Sequence, residues 1–586
     1  MTFDTSDLRH SSPVPSASRM DFGLPTSLPP MTSNPDQGII QEHTPSMTNL
    51  TMAPLGTPNI SNYTPQSMTG MISKKRGYEA SMDSDPSAEM AERDLESAVL
   101  IRHFVGVAGQ WLDLYDTGNY FTEHLPARLS TNLLLRSAVL AFAAKQLARS
   151  QGLTAGTGGV CSQPAKTEHL PGATASSWLY RANIYNDQAI SLLANALREE
   201  NEGNGNSPAM YRDGSEFSGD RQKRRRLSNQ RQSPRNPDDL LVASAILCVY
   251  EFIDGTGTEF SSHIDGARTL LNMGDGPFQQ LFHRIKHSGG QMYSPLPASR
   301  SRRAAFWSVA RQDLTSAFIN ERPTRLNCDD LALWRGAGLM VDDSGILQLR
   351  TRAMTTLPEV EDHSRDDSIS HGLIYLLCKI VNYISASDAM AVGQQFETIP
   401  EDEALLFDAS NANPGNHQRV LLDRWYALHR QLELWHCALP ETFKPSARIS
   451  ATAGSEEAFA EVWYTSSKRA SVMQHYHMAK ILLLINKPAL NTFALGSHRL
   501  KSYHSIDAEI RYHSHEICGI AISNPGGSAR VHMLQPLFVA GQCLHDPAER
   551  RTIVEILRSI ETDLGFATSY RVNTLLQDWG WSQTAV

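Results

Sequence analysis

Apolar positions divide the chain into three regimes. From residue 1 to about 90 they follow no period: PSMTNLTMAPLGTPNISNYTPQSMTGM scatters single apolar residues among Ser, Thr, Pro and Asn. A segment of this kind cannot bury enough apolar surface to offset the entropy of ordering it, so residues 1–90 are expected to form a disordered tail. From Asp94 the period becomes helical. In DLESAVLIRHFVGVAGQWLDLYD, the residues Leu95, Val99, Ile101, Phe104, Val105, Ala108, Trp111 and Leu112 recur at spacings of three and four, which predicts one broad apolar helix face. A second helix is expected over 133–147, and a third over 178–197 with Tyr180, Ile184, Tyr185, Ile190 and Leu193 as its apolar stripe.

The third regime is residues 198–237, a polar stretch rich in Gly and Ser that reads as a disordered insertion, with a shorter Gly-rich loop near 152–159. At Asp238 the helical period returns. DDLLVASAILCVYEFIDG places two acidic residues in a first turn, favourable against the positive end of the helix dipole, and a glycine after the last. HIDGARTLL, AAFWSVARQDLTSAFINERP, HGLIYLLCKIVNYI, LLDRWYALHRQLELW, ASVMQHYHMAKILLLI and AERRTIVEILRSIETDL continue the pattern. No series of short alternating runs separated by turn dipeptides appears. The expected fold is all-α, a multi-helix domain over residues 91–586 interrupted by the insertion.

Composition narrows the partners. The formal net charge of -9 argues against bulk coating of nucleic acid, so any basic function must be local. MTFDTSDLRH lacks the basic start and apolar run of a secretory signal, and no uninterrupted apolar stretch reaches the roughly 18 to 20 residues that span a bilayer. A soluble, intracellular protein without membrane contact is expected. The seven cysteines stand singly, with no C-x-x-C pair, and read as buried small hydrophobes rather than disulfides or a metal cluster.

Chemistry is sparse. Gly255-Thr256-Gly257 lacks the third glycine of a dinucleotide turn, and neither a phosphate-binding loop nor a nucleophile elbow occurs. His283 and His287 share a helix face without a third ligand; His475 and His477, and His513 and His515, are two apart, which on a helix throws their rings to different sides. Beside the aromatic stripe of residues 304–326 stand Arg311, Gln312 and Asp313. Arg311 falls over aromatic rings and, if buried, needs a carboxylate, which Asp313, Asp329 or Asp330 would supply. The same stretch offers Ser308 and Thr315 but no histidine, so a structural ion pair is favoured over a catalytic site. No catalytic residue, no metal ligand and no enzymatic activity are assigned.

The series LIRHFVGVAGQWLDLYD, DDLLVASAILCVYEFID with HIDGARTLL, AAFWSVARQDLTSAFINERP, VWYTSSKRASVMQHYHMAKILLL, LQPLFVAGQCL and LLQDWGW resembles, in this order, the fungal-specific transcription factor domain, the regulatory region C-terminal to the zinc cluster of fungal transcription factors. The resemblance implies an all-α regulatory domain in a nuclear regulator of RNA polymerase II transcription, with a metabolic or secondary-metabolite gene set as a common target. It also implies that Arg311, Gln312 and Asp313 hold core helices together, and that His263 and Gly266 do the same, the glycine at a close crossing. Alternatives of other classes are a helical small-molecule sensor and a corepressor or scaffold that does not bind DNA.

Members of that family carry six cysteines that wrap two zinc ions and present a helix to DNA; in this sequence no cysteine precedes Cys161, so zinc is implied by the family without its ligands. The expected partners are co-regulators or the transcriptional machinery, and a homodimer or a heterodimer with zinc-bearing relatives. Direct DNA contact is expected only if a zinc cluster precedes this sequence. What remains basic is RQKRRRLSNQRQSPR. Arg221, Lys223, Arg224, Arg225 and Arg226 read either as a nuclear import signal or as a solvated charge run, and their compactness favours import. Ser228 follows the basic residues as a kinase site would, and Ser233 precedes Pro234; phosphate at either would cut the local positive potential.

Overall fold

A computed structural model of the chain describes residues 86–150, 173–203, 236–255, 265, 299–348, 358–391, 414–450, 458–488 and 496–582, all within the compact unit Asp83–Val586. These residues are 76% helical. Helix α1 (Pro86–His103) opens with a proline, whose missing N–H costs nothing in a first turn. Ser-Ala-Glu-Met-Ala-Glu follows, and these helix formers start the helix several residues before the expected boundary at 90. A π turn over Phe104–Ala108 links α1 to α2 (Gly109–Asp113), and together they bury Leu100, Phe104, Ala108 and Trp111.

Helix α3 (Leu133–Arg149), capped by the Asn132 side chain, packs along α4 (Ala175–Gly203). The stripe of α4 differs from the expected one. Trp178, Ala182, Ala189, Leu193 and Ala196 face inward, while Tyr180, Ile184 and Ile190 are exposed. Alanines seven residues apart let α4 approach α3 closely, and small side chains at a tight crossing carry less hydropathy than the residues left outside. Helix α4 also continues to Gly203, past the expected start of the insertion at 198, because Arg-Glu-Glu-Asn-Glu favours helix without needing burial. Residues 204–235, with Arg221, Lys223, Arg224, Arg225, Arg226, Ser228 and Ser233, lie outside the described residues, as do His263 and Gly266.

The interior is built from helices with little amphipathic contrast: α5 (Pro237–Phe252), α6 (Arg300–Asn320), α8 (Pro358–Ala391) and α10 (Ser467–Ile485). Residues 239–250 of α5 are buried without a break, so this helix runs through the core. Asn236 caps it, and Asp238 and Asp239 occupy its first turn. Within α8, Arg365–Ala386 is long and apolar enough to cross a membrane, against the sequence expectation; 72% of that window is buried inside the fold, which accounts for its composition. The short α7 (Leu331–Gly336) lies after α6, and the helix α9 (Pro414–Cys437) packs on α8. The chain ends in α11 (Gly496–Ile522), α12 (Gly527–His532), α13 (Leu534–Cys543), α14 (Pro547–Leu564) and α15 (Ser569–Asp578), with α11, α12 and α13 packed on α10. Among the described residues the strands are β1 (Ala447–Ile449) and β2 (Glu461–Trp463), an antiparallel ribbon against α11.

Candidate functional site

Helices α2, α5, α6, α8, α10, α12 and α13 enclose a cavity of about 70 Å³. Its walls are mostly apolar, with Trp111, Phe252, Leu314, Ile374 and Val472 among them, and its polar side chains are Tyr115, Arg311, Gln312, Thr315, Ser370, His475, His532 and Gln535. Arg311 is 6% exposed. Its Nη2 donates to the Trp111 carbonyl at 3.0 Å, and its guanidinium lies 5.6 Å from the centre of the Tyr115 ring. Trp111 stands in the last turn of α2, where carbonyls have no partner further along the helix, so a cation there meets the negative end of the dipole. Nε2 of His532 donates to the same oxygen at 3.1 Å, and Nδ1 of His475 donates to the Ser471 carbonyl at 2.8 Å. The Tyr115 hydroxyl is hydrogen-bonded to Ser471 Oγ at 2.7 Å.

Burial sets the charge states. It lowers Arg311 to about 10, which leaves the guanidinium protonated near neutral pH. It lowers His475 to about 4 and His532 well below the ordinary histidine range, so both rings are neutral. The Tyr115 phenol is raised to about 12. Asp113, the acid nearest in effect to Arg311, is raised to about 7 by desolvation; its oxygens accept from the amides of Phe121 and Thr122 at 2.9 and 2.8 Å.

The expected ion pair of Arg311 with Asp313, Asp329 or Asp330 does not form. Among the described residues no carboxylate lies within ion-pair distance of Arg311. Asp313 has no exposed surface and accepts from the amides of Arg325 and Leu326 at 3.1 and 2.8 Å, with Arg325 Nη1 at 3.8 Å. Successive residues on a helix are about 100° apart, so the carboxylate faces the turn after α6 while the guanidinium faces α2. Gln312 points to α5: its Nε2 donates to the Ala245 carbonyl at 3.3 Å and to Ser308 Oγ at 3.0 Å, and its Oε1 is buried without a partner. Trp111, Tyr115, His475, His532 and Gln535 were not expected beside Arg311. All five come from segments remote from Arg311 in sequence.

The other histidine pairs meet each other. Nδ1 of His477 and Nδ1 of His513 are 2.7 Å apart, so one ring donates and the other accepts. Beside them Lys480 is held by Glu433 at 2.6 Å and Glu509 at 3.3 Å, and Arg448 pairs with both oxygens of Glu516 at 2.6 and 2.8 Å. Burial lowers His513 to about 4 and His477 well below the usual value. No group of three or more His, Cys, Asp or Glu that could hold a metal occurs among the described residues. The described cysteines are free and four of the six are buried, a donor set that does not fit a pair of zinc ions.

The model of the fungal specific transcription factor domain matches residues 99–579. Over 520 residues, 84% of this chain, the sequence is 35% identical to Transcription activator AMTR1 of Alternaria alternata, of which the match spans 64%, less than two thirds. No solved structure matches.

Proposed function

The chain belongs to the fungal specific transcription factor domain family, and from that premise we propose that it regulates transcription by RNA polymerase II in a fungal nucleus. The match over residues 99–579 carries this reading. Both the family and the relative are transcription factors rather than enzymes. Regulation of a metabolic gene set, including a secondary-metabolite cluster, is the target class that fits. The helical unit acts by holding co-regulators or the transcriptional machinery. Contact with DNA comes through a zinc-bearing relative in a dimer, or through a cluster preceding these residues.

The deciding experiment fuses the full chain to a heterologous DNA-binding domain in a fungal host and measures a reporter carrying that domain's sites. A change in reporter output is expected, and its sign distinguishes activator from repressor. Output equal to that of the DNA-binding domain alone sinks the proposal. We assign nuclear import to Arg221, Lys223, Arg224, Arg225 and Arg226. Replacing all five with alanine shifts a fluorescent fusion to the cytoplasm, and replacing Ser228 with glutamate weakens import in the same direction.

A further inference from the structure

A positive charge withdrawn from water costs several kcal/mol unless it is paired. Arg311 has five N–H donors, yet among the described residues its polar contacts are one hydrogen bond to Trp111 O and the face of Tyr115. Next to it, Gln312 leaves Oε1 buried and without a partner, although the same side chain uses its amide nitrogen twice. Both residues line one cavity, and the rest of its wall is apolar or bears uncharged groups: two neutral histidines, and Tyr115, Thr315, Ser370 and Gln535, each hydrogen-bonded within the protein. Among the described residues the cavity therefore presents one cation with no carboxylate at ion-pair distance, Asp113 acting on it only from further off, and one unused acceptor. Its volume of about 70 Å³ accommodates roughly five water-sized atoms at the space each requires.

We propose that this cavity binds a small hydroxy- or amino-monocarboxylate, its carboxylate on the Arg311 guanidinium and its hydroxyl or ammonium donating to Gln312 Oε1. A single cation matches a single carboxylate, and the volume limits the ligand to the size of glycolate or lactate. Trp111, Phe252 and Leu314 cover the ligand's carbon atoms. That such a compound is the signal to which transcription responds rests on the regulatory reading; binding itself does not.

Binding is measured on the purified full-length chain, with no promoter or reporter, by ligand-observed saturation-transfer NMR and by thermal melting with glycolate, acetate and glycolamide. Glycolate is expected to show saturation transfer and to raise the melting midpoint by about 2 °C at ten times its Kd. Acetate, which lacks the hydroxyl, binds about fivefold more weakly, and glycolamide, which lacks the charge, shows no transfer. Arg311→Met abolishes the glycolate response while the chain stays folded. Should that variant not fold, Val472→Phe fills the cavity, leaves Arg311 in place and abolishes the response in its turn. The proposal is overturned by any of three results: no glycolate transfer at about 20 mM, glycolamide binding as well as glycolate, or an undiminished glycolate response in the folded variant. A negative result leaves the reporter experiment, and the regulatory reading with it, untouched.

Discussion

The Asp313 carboxylate is fully enclosed, and its two oxygens hold the amides of Arg325 and Leu326 where the chain turns away from α6. Asp313→Ala strands both donors, at about 1–3 kcal/mol each less what water recovers, so a loss of about 3 kcal/mol is expected. Gln312→Leu is milder. It keeps the volume and removes the unpartnered Oε1, and the Ala245 carbonyl it releases still belongs to the ladder of α5; the expected loss is about 1 kcal/mol. Urea midpoints of the two variants decide the matter, and equal losses would contradict this division of roles. The sequence brought Arg311, Gln312 and Asp313 forward together because helical spacing marked their turn as the inner one. It did not reveal that the three side chains serve α2, α5 and the 325–326 turn separately, because those partners come from segments whose approach no local period records.

At the scale of elements, two glycines give opposite predictions. A methyl group on Gly519 of α11 would stand 2.5 Å from the carbonyl oxygen of Ala460, the residue before β2, and 2.9 Å from Val462 Cγ2 within β2. Backbone cannot step aside there without lifting the ribbon from α11, so Gly519→Ala is expected to cost about 2 kcal/mol. A methyl group on Gly336, at the end of α7, meets nothing within 4 Å. Gly336→Ala restricts the unfolded chain at no native cost and is expected to stabilise by about 0.5 kcal/mol. Melting curves of both variants test the pair, and a destabilised Gly336→Ala would contradict the open space seen at α7. Helices themselves were legible from period alone, including α5, α6, α10 and α14. Their contact faces were less so. On α4 the hydrophobic period pointed to Tyr180, Ile184, Tyr185, Ile190 and Leu193; Leu193 is buried and Tyr185 partly so, but Tyr180, Ile184 and Ile190 are exposed and the rest of the buried line is Trp178, Ala182, Ala189 and Ala196, since close approach selects for small residues that hydropathy ranks low.

Across the whole molecule, burial of titratable groups makes stability depend on pH with a definite sign. His371 is lowered to about 3, His475 and His513 to about 4, and His477 and His532 well below the ordinary value of 6.5, in every case first by desolvation. Between those values and 6.5 the unfolded chain binds protons that the folded chain refuses, so their contribution is complete above pH 6.5 and is withdrawn as pH falls toward 4. For His475 alone this amounts to something on the order of 3 kcal/mol. Asp113 opposes it: raised from 3.8 to about 7, it is bound to a proton in the folded state over the same window, and its contribution grows on acidification. His103, His429 and His436 are lowered too and Asp239 is raised, so among the described residues eight histidines stand against two carboxyls and the balance is negative. Urea midpoints of the full chain are therefore expected to fall steadily from about pH 7 to pH 4. A midpoint that stays flat or rises over that interval would mean that these rings accept protons in the folded state. The interior around Arg311 and the His477–His513 pair would then have to be open to water.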